Sequence, residues 1–254
     1  MKLISICIPT YEMRGHGVAF LKQSFDILTN QTFKNFDVIV SDHAKVDVIK
    51  DLCIAYKYKL DIHYYRNFEN IGNSSANINN AIKKATGKLI KILFQDDFLY
   101  SNNSLEDIAN NFNLEKDKWL ITACEHSKDG INLFRPFYPK YNNNIHLGNN
   151  TISSPSVLTI KNDEPLLFDE NLIWLMDCDY YKRCYDKFGA PKIFNSINIV
   201  NRAGIHQISN TIANNALRNR EYLYILKKYR KKTSLRDKIN NAFTRLIINI
   251  DAKK

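Results

Sequence analysis

Residues 88–97 read KLIKILFQDD, a mostly apolar run that ends in two adjacent carboxylates. The run has the length and composition of a buried strand. A carboxylate leaving a core is costly to desolvate unless it is ionised at a water-facing rim or bound to a cation, so this stretch places the end of a core strand at a site. Two upstream segments have the same form. Leu3 to Pro9 (LISICIP) is a compact apolar run stopped by proline, and Phe36 to Val40 (FDVIV) ends in Ser41-Asp42. Helical spacing fills the intervals, over Phe20 to Leu28, Val48 to Tyr58 and Ser75 to Thr86, with a short strand around Ile62 to Tyr65. The third helix puts Ile78, Ala81, Ile82 and Ala85 on one face, and Gly87 reads as its C-cap. Strands alternating with helices imply crossover connections and an α/β fold with a largely parallel sheet flanked by helices, Rossmann-like in character. Such sheets bind ligands beyond the carboxyl ends of their strands. Pro9-Thr10-Tyr11, Asp42 and Asp96-Asp97 all follow strand ends, so three separate segments deliver polar groups to one rim.

The second half is less regular. Ser104 to Leu114 reads as a helix, Trp119 to Cys124 as a strand, residues 126–150 as an Asn-rich irregular stretch and Thr151 to Ile160 as extended. Asp177 to Lys187 reads as a helix, with Asp177 as N-cap and Gly189 just past its end. Without an internal repeat or a Pro/Gly/Ser-rich linker, the simplest division is one domain over 1–212, with halves at 1–100 and 101–212, followed by a tail at 213–254.

With 44% hydrophobic and 24% charged residues, the 254-residue chain has the make-up of a soluble globular protein. No apolar run is long enough to span a bilayer, and MKLISICIPTYE lacks the features of a signal peptide, so a cytoplasmic location is expected. The five cysteines are scattered, with no CxxC pair, which points to buried free thiols rather than disulfides or structural zinc. Most of the net charge of +10 falls in residues 215–254, where twelve Lys/Arg face three Asp/Glu. The body is close to neutral, which argues against a nucleic-acid groove.

Adjacent residues on a strand point to opposite faces, so Asp96 and Asp97 would not grip one ion identically unless the chain turns there. One can bind a hard divalent cation while the other bonds a sugar hydroxyl. Mg²⁺ and Mn²⁺ are commonly held by one or two carboxylates, with substrate phosphates and water completing the shell, so a diphosphate-bearing substrate is the complement. The same pair also reads as a turn with a helix-start signal.

SICIPTYE, FDVIVSD, NINNAIKKATGKLIK and FQDD resemble, in order and spacing, the nucleotide-binding half of family 2 glycosyltransferases with the GT-A fold. ISSPSVL, LFDENLIWLMDCDYYKRC and NRAGIHQISN resemble that family's acceptor-side segments. The resemblance covers residues 3–212. It implies that Pro9, Thr10, Tyr11 and Glu12 line a nucleobase pocket, that Asp42 accepts a hydrogen bond from the base, usually uracil, and that Gly72 and Asn79 belong to the same nucleotide-binding set. It also implies that Asp96 faces the ribose and that Asp97 ligates Mn²⁺ or Mg²⁺ bridging the diphosphate, where the metal stabilises the departing nucleotide as a Lewis acid. Asp177 matches the general base of the family's acidic motif, whose preceding glutamate is replaced here by Met176. Asp179 and Arg183, at i and i+4, are expected to form an intrahelical ion pair. His206 resembles the late-loop histidine that closes over the diphosphate or completes the metal shell, although a lone histidine also reads as a packing residue. Arg202 could meet phosphate, with a solvated arginine as the default, and His16 and His43 receive no role.

The expectation is an inverting transferase that moves a sugar from a nucleotide donor, a UDP-sugar, onto a growing, lipid-linked bacterial surface glycan such as lipopolysaccharide or capsule. In the tail, Tyr222, Ile225, Leu226 and Tyr229, then Ile239, Phe243, Leu246, Ile247 and Ile250, lie at helical spacing among basic residues. Such helices suit the interface of an anionic membrane and a peripheral location at its inner face, and equally suit packing on the domain or on another subunit. Two rivals are a nucleotidylyltransferase of related sheet architecture, for which IPTYEMRGHG offers only a faint phosphate loop, and a non-catalytic membrane or carbohydrate-binding module. Donor choice is expected to lie in the loop at 126–150.

Overall fold

The computed structural model describes residues 1–204 and 214–229. Eight strands, β1 (Ile4–Thr10), β2 (Phe36–Asp42), β3 (Ile62–Arg66), β4 (Leu89–Ile92), β5 (Phe98–Leu99), β6 (Trp119–Ser127), β7 (Leu158–Lys161) and β8 (Lys192–Arg202), join in one sheet in the order β3-β2-β1-β4-β7-β6-β8-β5. The helices α1 (Gly17–Thr29), α2 (Val48–Tyr56), α3 (Ser74–Lys84), α4 (Ser104–Asn111), α5 (Met176–Phe188) and α6 (Asn215–Lys228) pack around it.

The first four strands in the sheet are mutually parallel, as the strand and helix alternation predicts. Both β1 and β2 are buried along their whole length, which is why they read as continuous apolar runs. Their register pairs Thr10 with Asp42, so both strand ends reach the same rim. β7 then runs antiparallel between β4 and β6, while β8 lies parallel to β6 and antiparallel to β5. The strand β8, which sequence reading did not assign, closes the far side of the site.

Two local expectations are corrected. Helix α3 begins at Asn73, whose side chain accepts from the Ala76 N–H at 3.0 Å, but it ends at Ala85 in extended backbone (φ −68°, ψ 132°), so Gly87 is not its C-cap. Gly87 serves close packing instead, since a Cβ there would lie 2.7 Å from the Ser5 amide nitrogen on β1. The second correction concerns the tail. Tyr222, Ile225 and Tyr229, offered above as part of a membrane-facing stripe, are buried against the domain, so that half of the stripe is not available to a bilayer. The residues of the second stripe, from Ile239 to Ile250, lie outside the described residues. Among the described residues no helix is long and apolar enough to cross a membrane. All five cysteines are buried and free, as expected.

Candidate active site

Beyond the carboxyl ends of β1, β2 and β4 lies a cavity of about 550 Å³. The segment after β1 supplies Pro9, Tyr11, Glu12 and Met13 to its wall. Gln95 anchors this segment by accepting from the Tyr11 N–H at 2.9 Å and donating to the Gly17 carbonyl at 2.9 Å. Glycine is required at position 17, where a Cβ would lie 2.4 Å from the Tyr11 carbonyl oxygen. The Glu12 carboxylate accepts from the Lys45 N–H and so joins the rims of β1 and β2.

His43, given no role by sequence, lies in the cavity wall after β2. Its Nδ1 accepts from the Gly72 N–H at 3.3 Å, and its Nε2 lies 3.1 Å from the Glu69 carbonyl and 3.0 Å from the Asn67 side-chain amide. Burial lowers its proton affinity and keeps the ring neutral. Gly72 occupies the left-handed region at φ +86°, which glycine adopts without strain.

The floor is the Asp96-Asp97 turn. Strand β4 stops at Ile92, and the Asp97 N–H donates to the Phe94 carbonyl at 3.0 Å, so the chain turns at the pair and both residues reach the cavity. Asp97 is buried; it accepts from Ser154 Oγ at 2.8 Å and from the Arg202 N–H at 3.0 Å. Burial, reinforced by the charge of Asp96, pushes its carboxyl up to about 7. Arg202 is neither solvated nor aimed at phosphate, contrary to both readings of the sequence. It is buried beneath the floor, where it donates to the Asp96 carbonyl at 3.2 Å and to Gln23 and stacks on Phe20 at 4.3 Å.

Across the cavity stand Ser153, Ser154 and Pro155 with Asn201 of β8. Ser153 has φ +98°, a strained conformation for a residue with a Cβ. Its neighbours over-determine it: Asn150 accepts from its N–H and donates to its carbonyl, each at 2.9 Å, Tyr181 Oη donates to that carbonyl at 3.2 Å, and Asn201 donates to its Oγ at 2.6 Å.

Asp177 is half-buried one hydrogen-bonded residue behind this wall. It accepts from Asn150 Nδ2 at 2.6 Å and from the Cys178 N–H at 2.7 Å. Burial raises its carboxyl to about 6 against these stabilising donors. It does not cap α5. The N-cap is Leu175, which makes no side-chain capping bond, and Asp177 lies in the first turn. Met176 packs its sulfur 3.1 Å from Ser74 Oγ. Asp179 and Arg183 form the expected ion pair at 2.7 Å.

Of the residues named from sequence, Pro9, Tyr11, Glu12, Gly72, Asp96 and Asp97 therefore meet in one cavity. Thr10, Asp42, Asn79 and Asp177 do not line it. Asp42 is fully buried and accepts from Thr10 Oγ1 at 3.1 Å, the Ala44 N–H at 2.9 Å and Tyr64 Oη at 2.7 Å, so it braces the rim. Asn79 exchanges hydrogen bonds with the backbone of Phe168 at 2.7 and 2.9 Å and fastens the chain ahead of α5. His206 lies outside the described residues. Of the residues to which sequence reading gave no role, His43, Lys45 and His126 carry no motif and Trp174 stands inside the quoted segment before Asp177, and only the fold gathers them here.

Among the described residues no three His, Cys, Asp or Glu side chains gather as a ligand set. The donors nevertheless fit a hard divalent cation. Asp97 is a buried carboxylate beside a second one, its proton affinity raised by burial and by the charge of Asp96, and Mg²⁺ or Mn²⁺ takes the rest of its shell from phosphates and water.

A family model described as Glycosyl transferase family 2 matches residues 5–160. An uncharacterized glycosyltransferase of Rickettsia prowazekii (strain Madrid E) is 27% identical over 233 residues, covering 84% of this chain and 67% of that protein. Two solved structures are similar across nearly the whole chain. TarS of S. aureus (residues 1–349, with UDP) has a TM-score of 0.60 at 18% identity, covering 94% of this chain and 77% of that one. The mannosyltransferase PcManGT of Pyrobaculum calidifontis, with GDP-Man and Mn²⁺, has a TM-score of 0.56 at 12% identity, covering 96% and 80%. These likenesses identify the sheet and its flanking helices as the GT-A fold.

Proposed function

The chain belongs to glycosyl transferase family 2 and is a glycosyltransferase, and we propose that it carries a sugar from a UDP-sugar to an acceptor hydroxyl with inversion at the anomeric carbon. The observation that carries this reading is the Asp96-Asp97 turn at the floor of a cavity walled by Pro9, Tyr11, Glu12 and Gly72. A nucleoside sits against the β1 and β2 rims and its diphosphate lies over the carboxylate pair. Family membership displaces both the nucleotidylyltransferase and the non-catalytic reading.

Asp97 would hold Mn²⁺ or Mg²⁺, which supplies Lewis-acid neutralisation of the leaving diphosphate, and Asp96 would face the ribose. His43, kept neutral, offers the nucleotide an uncharged edge. Asp177 is the base. Its carboxylate takes the proton of the acceptor hydroxyl as that oxygen attacks, and Asn150 holds the carboxylate in orientation. A raised proton affinity suits this task, because a base near 6 is ionised at neutral pH yet still draws a proton. The acceptor is a growing, lipid-linked surface glycan, in keeping with the basic residues of 230–254, beyond the α6 stretch that packs on the domain, which would hold the enzyme at an anionic inner membrane face.

Titration calorimetry of UDP with and without Mn²⁺, beside Asp97→Ala, tests the donor site. Metal-dependent binding in the wild type that vanishes in the variant is expected. Equal binding in both would remove Asp97 from the metal.

A further inference from the structure

Helix α6 lies beyond the residues that the family model matches, yet it holds the segment carrying the proposed base at three points. Glu221 is fully buried, and its two carboxylate oxygens accept from three consecutive backbone donors: Ile173 N–H at 2.8 Å, Trp174 N–H at 3.0 Å and Leu175 N–H at 2.9 Å. These amides lead directly into α5, whose own N-cap offers no side chain. Glu221 therefore satisfies, from another helix, the three amides that lead up to α5, the last of them on its N-cap residue, and adds negative charge near the positive end of that helix beside its own first-turn acids Asp177 and Asp179. Farther along α6, Tyr229 Oη and Lys228 Nζ reach Asp179 at 2.9 and 2.8 Å. At its start the Arg218 guanidinium lies 5.2 Å over the Trp174 ring. Asp177 thus sits between two anchored stretches, 173–175 and Asp179, and Ile173 and Trp174 are themselves cavity wall.

We propose that Glu221 is a positioning residue for sugar transfer: by gathering the amides of residues 173–175 it fixes Trp174 in the cavity wall and sets the first turn of α5 so that Asp177 meets the acceptor hydroxyl. The role of Asp177 in this statement rests on the function proposed above; the placement of Trp174 does not. Glu221 itself touches none of the β1, β2 and β4 rim residues that would hold the donor nucleotide, so the loss on removing it is expected to fall on the chemical step.

The test is Glu221→Gln in the full chain. Glutamine keeps the shape but turns an amide N–H₂ toward one or two of the three backbone donors, so the gathering fails while the volume is kept. Trp119 and Trp174 are the two tryptophans, and Trp119 is buried, so acrylamide quenching of fluorescence reads Trp174 without any turnover. We expect Trp174 to become more accessible, kcat to fall about 10-fold or more, toward the roughly 10²-fold that an ångström of misplacement costs, and the UDP dissociation constant to stay within about 2-fold. Leu223→Ala, on the exposed side of the same helix, should move none of these. Unchanged quenching with unchanged kcat overturns the proposal, as does a kcat loss matched by an equal loss of UDP affinity. If the wild type transfers no sugar, the functional reading fails, and the quenching arm still decides whether Glu221 sets the position of Trp174. Should Glu221→Gln not fold, Glu221→Asp keeps the charge but draws the carboxylate back by one methylene: raised quenching of Trp174 supports the gathering, and wild-type quenching with wild-type kcat overturns it.

Discussion

Replacing Asn150 with alanine should move the acid limb of the rate profile, and the size of the movement follows from one hydrogen bond. Asn150 Nδ2 donates to the Asp177 carboxylate at 2.6 Å. This bond favours the ionised form and opposes the burial that raises the carboxyl to about 6. A group near 6 is roughly nine-tenths ionised at pH 7 and one-tenth ionised at pH 5, so kcat in the wild type should fall about tenfold between those values. A hydrogen bond to a charged partner contributes about 1.5–3 kcal/mol, and 1.36 kcal/mol corresponds to one pH unit, so Asn150→Ala should shift the limb upward by roughly one to two units. The sign is fixed: losing a donor to the carboxylate makes the base harder to ionise, and activity at pH 6 suffers more than activity at pH 8. Asn150 also braces Ser153, whose loosening lowers the rate at every pH. A plateau drop and a limb shift are separable in one profile of kcat against pH, taken by nucleotide release at saturating donor and metal, where proton competition at Asp97 is suppressed. A lowered plateau with an unmoved limb would show that the titrating base is not Asp177.

Two further outcomes concern stability. Lys91 is fully buried on β4, donates to the Ser156 carbonyl, and is held down to about 7 by desolvation, against the pull of Asp97. Its folded pKa lies below its unfolded one, so the penalty is complete below pH 7 and fades as pH rises toward 10.5. Lys91→Met should therefore raise the urea midpoint at pH 7, by a gain on the order of 1–4 kcal/mol, and flatten the rise in stability between pH 7 and 9; a lowered midpoint at pH 7 would contradict this. Gly87→Ala drives a methyl into the Ser5 backbone and should cost about 1–3 kcal/mol, read as a lower urea midpoint at unchanged slope. A wild-type midpoint would show that the β1 and β4 contact can open freely.

The first half of the fold was legible because β1, β2 and β4 are buried on both faces, which writes each as an apolar run, and because their ends carry polar residues that a core cannot keep. Strand β8 escaped because Asn195, Ser196 and Asn198 interrupt its apolar residues and two register shifts against β6 break any alternation. Strand β5 is two residues long. At the site, Asp97 could be named from its position, but the bracing roles of Asp42 and Asn79 could not, because their partners Tyr64 and Phe168 are distant in sequence. Asp177 read as an N-cap because a local pattern cannot reveal that α5 begins one residue earlier, at Met176, or that the amide of its N-cap Leu175 is held by Glu221, 46 residues on.

The placement of β7 between β4 and β6 also bears on how the protein is made. Until β7 arrives, the row of N–H and C=O groups along Leu89–Ile92 has no partner on one side, and these residues form an open, largely apolar edge of the kind that pairs with other chains. About 70 residues separate the end of β4 from the end of β7, which at ribosomal rates of about 5–20 residues per second leaves that edge open for several seconds. A nascent chain paused in the loop between β6 and β7 would present the nucleotide half nearly complete but uncovered, the point in synthesis where self-association competes most directly with folding.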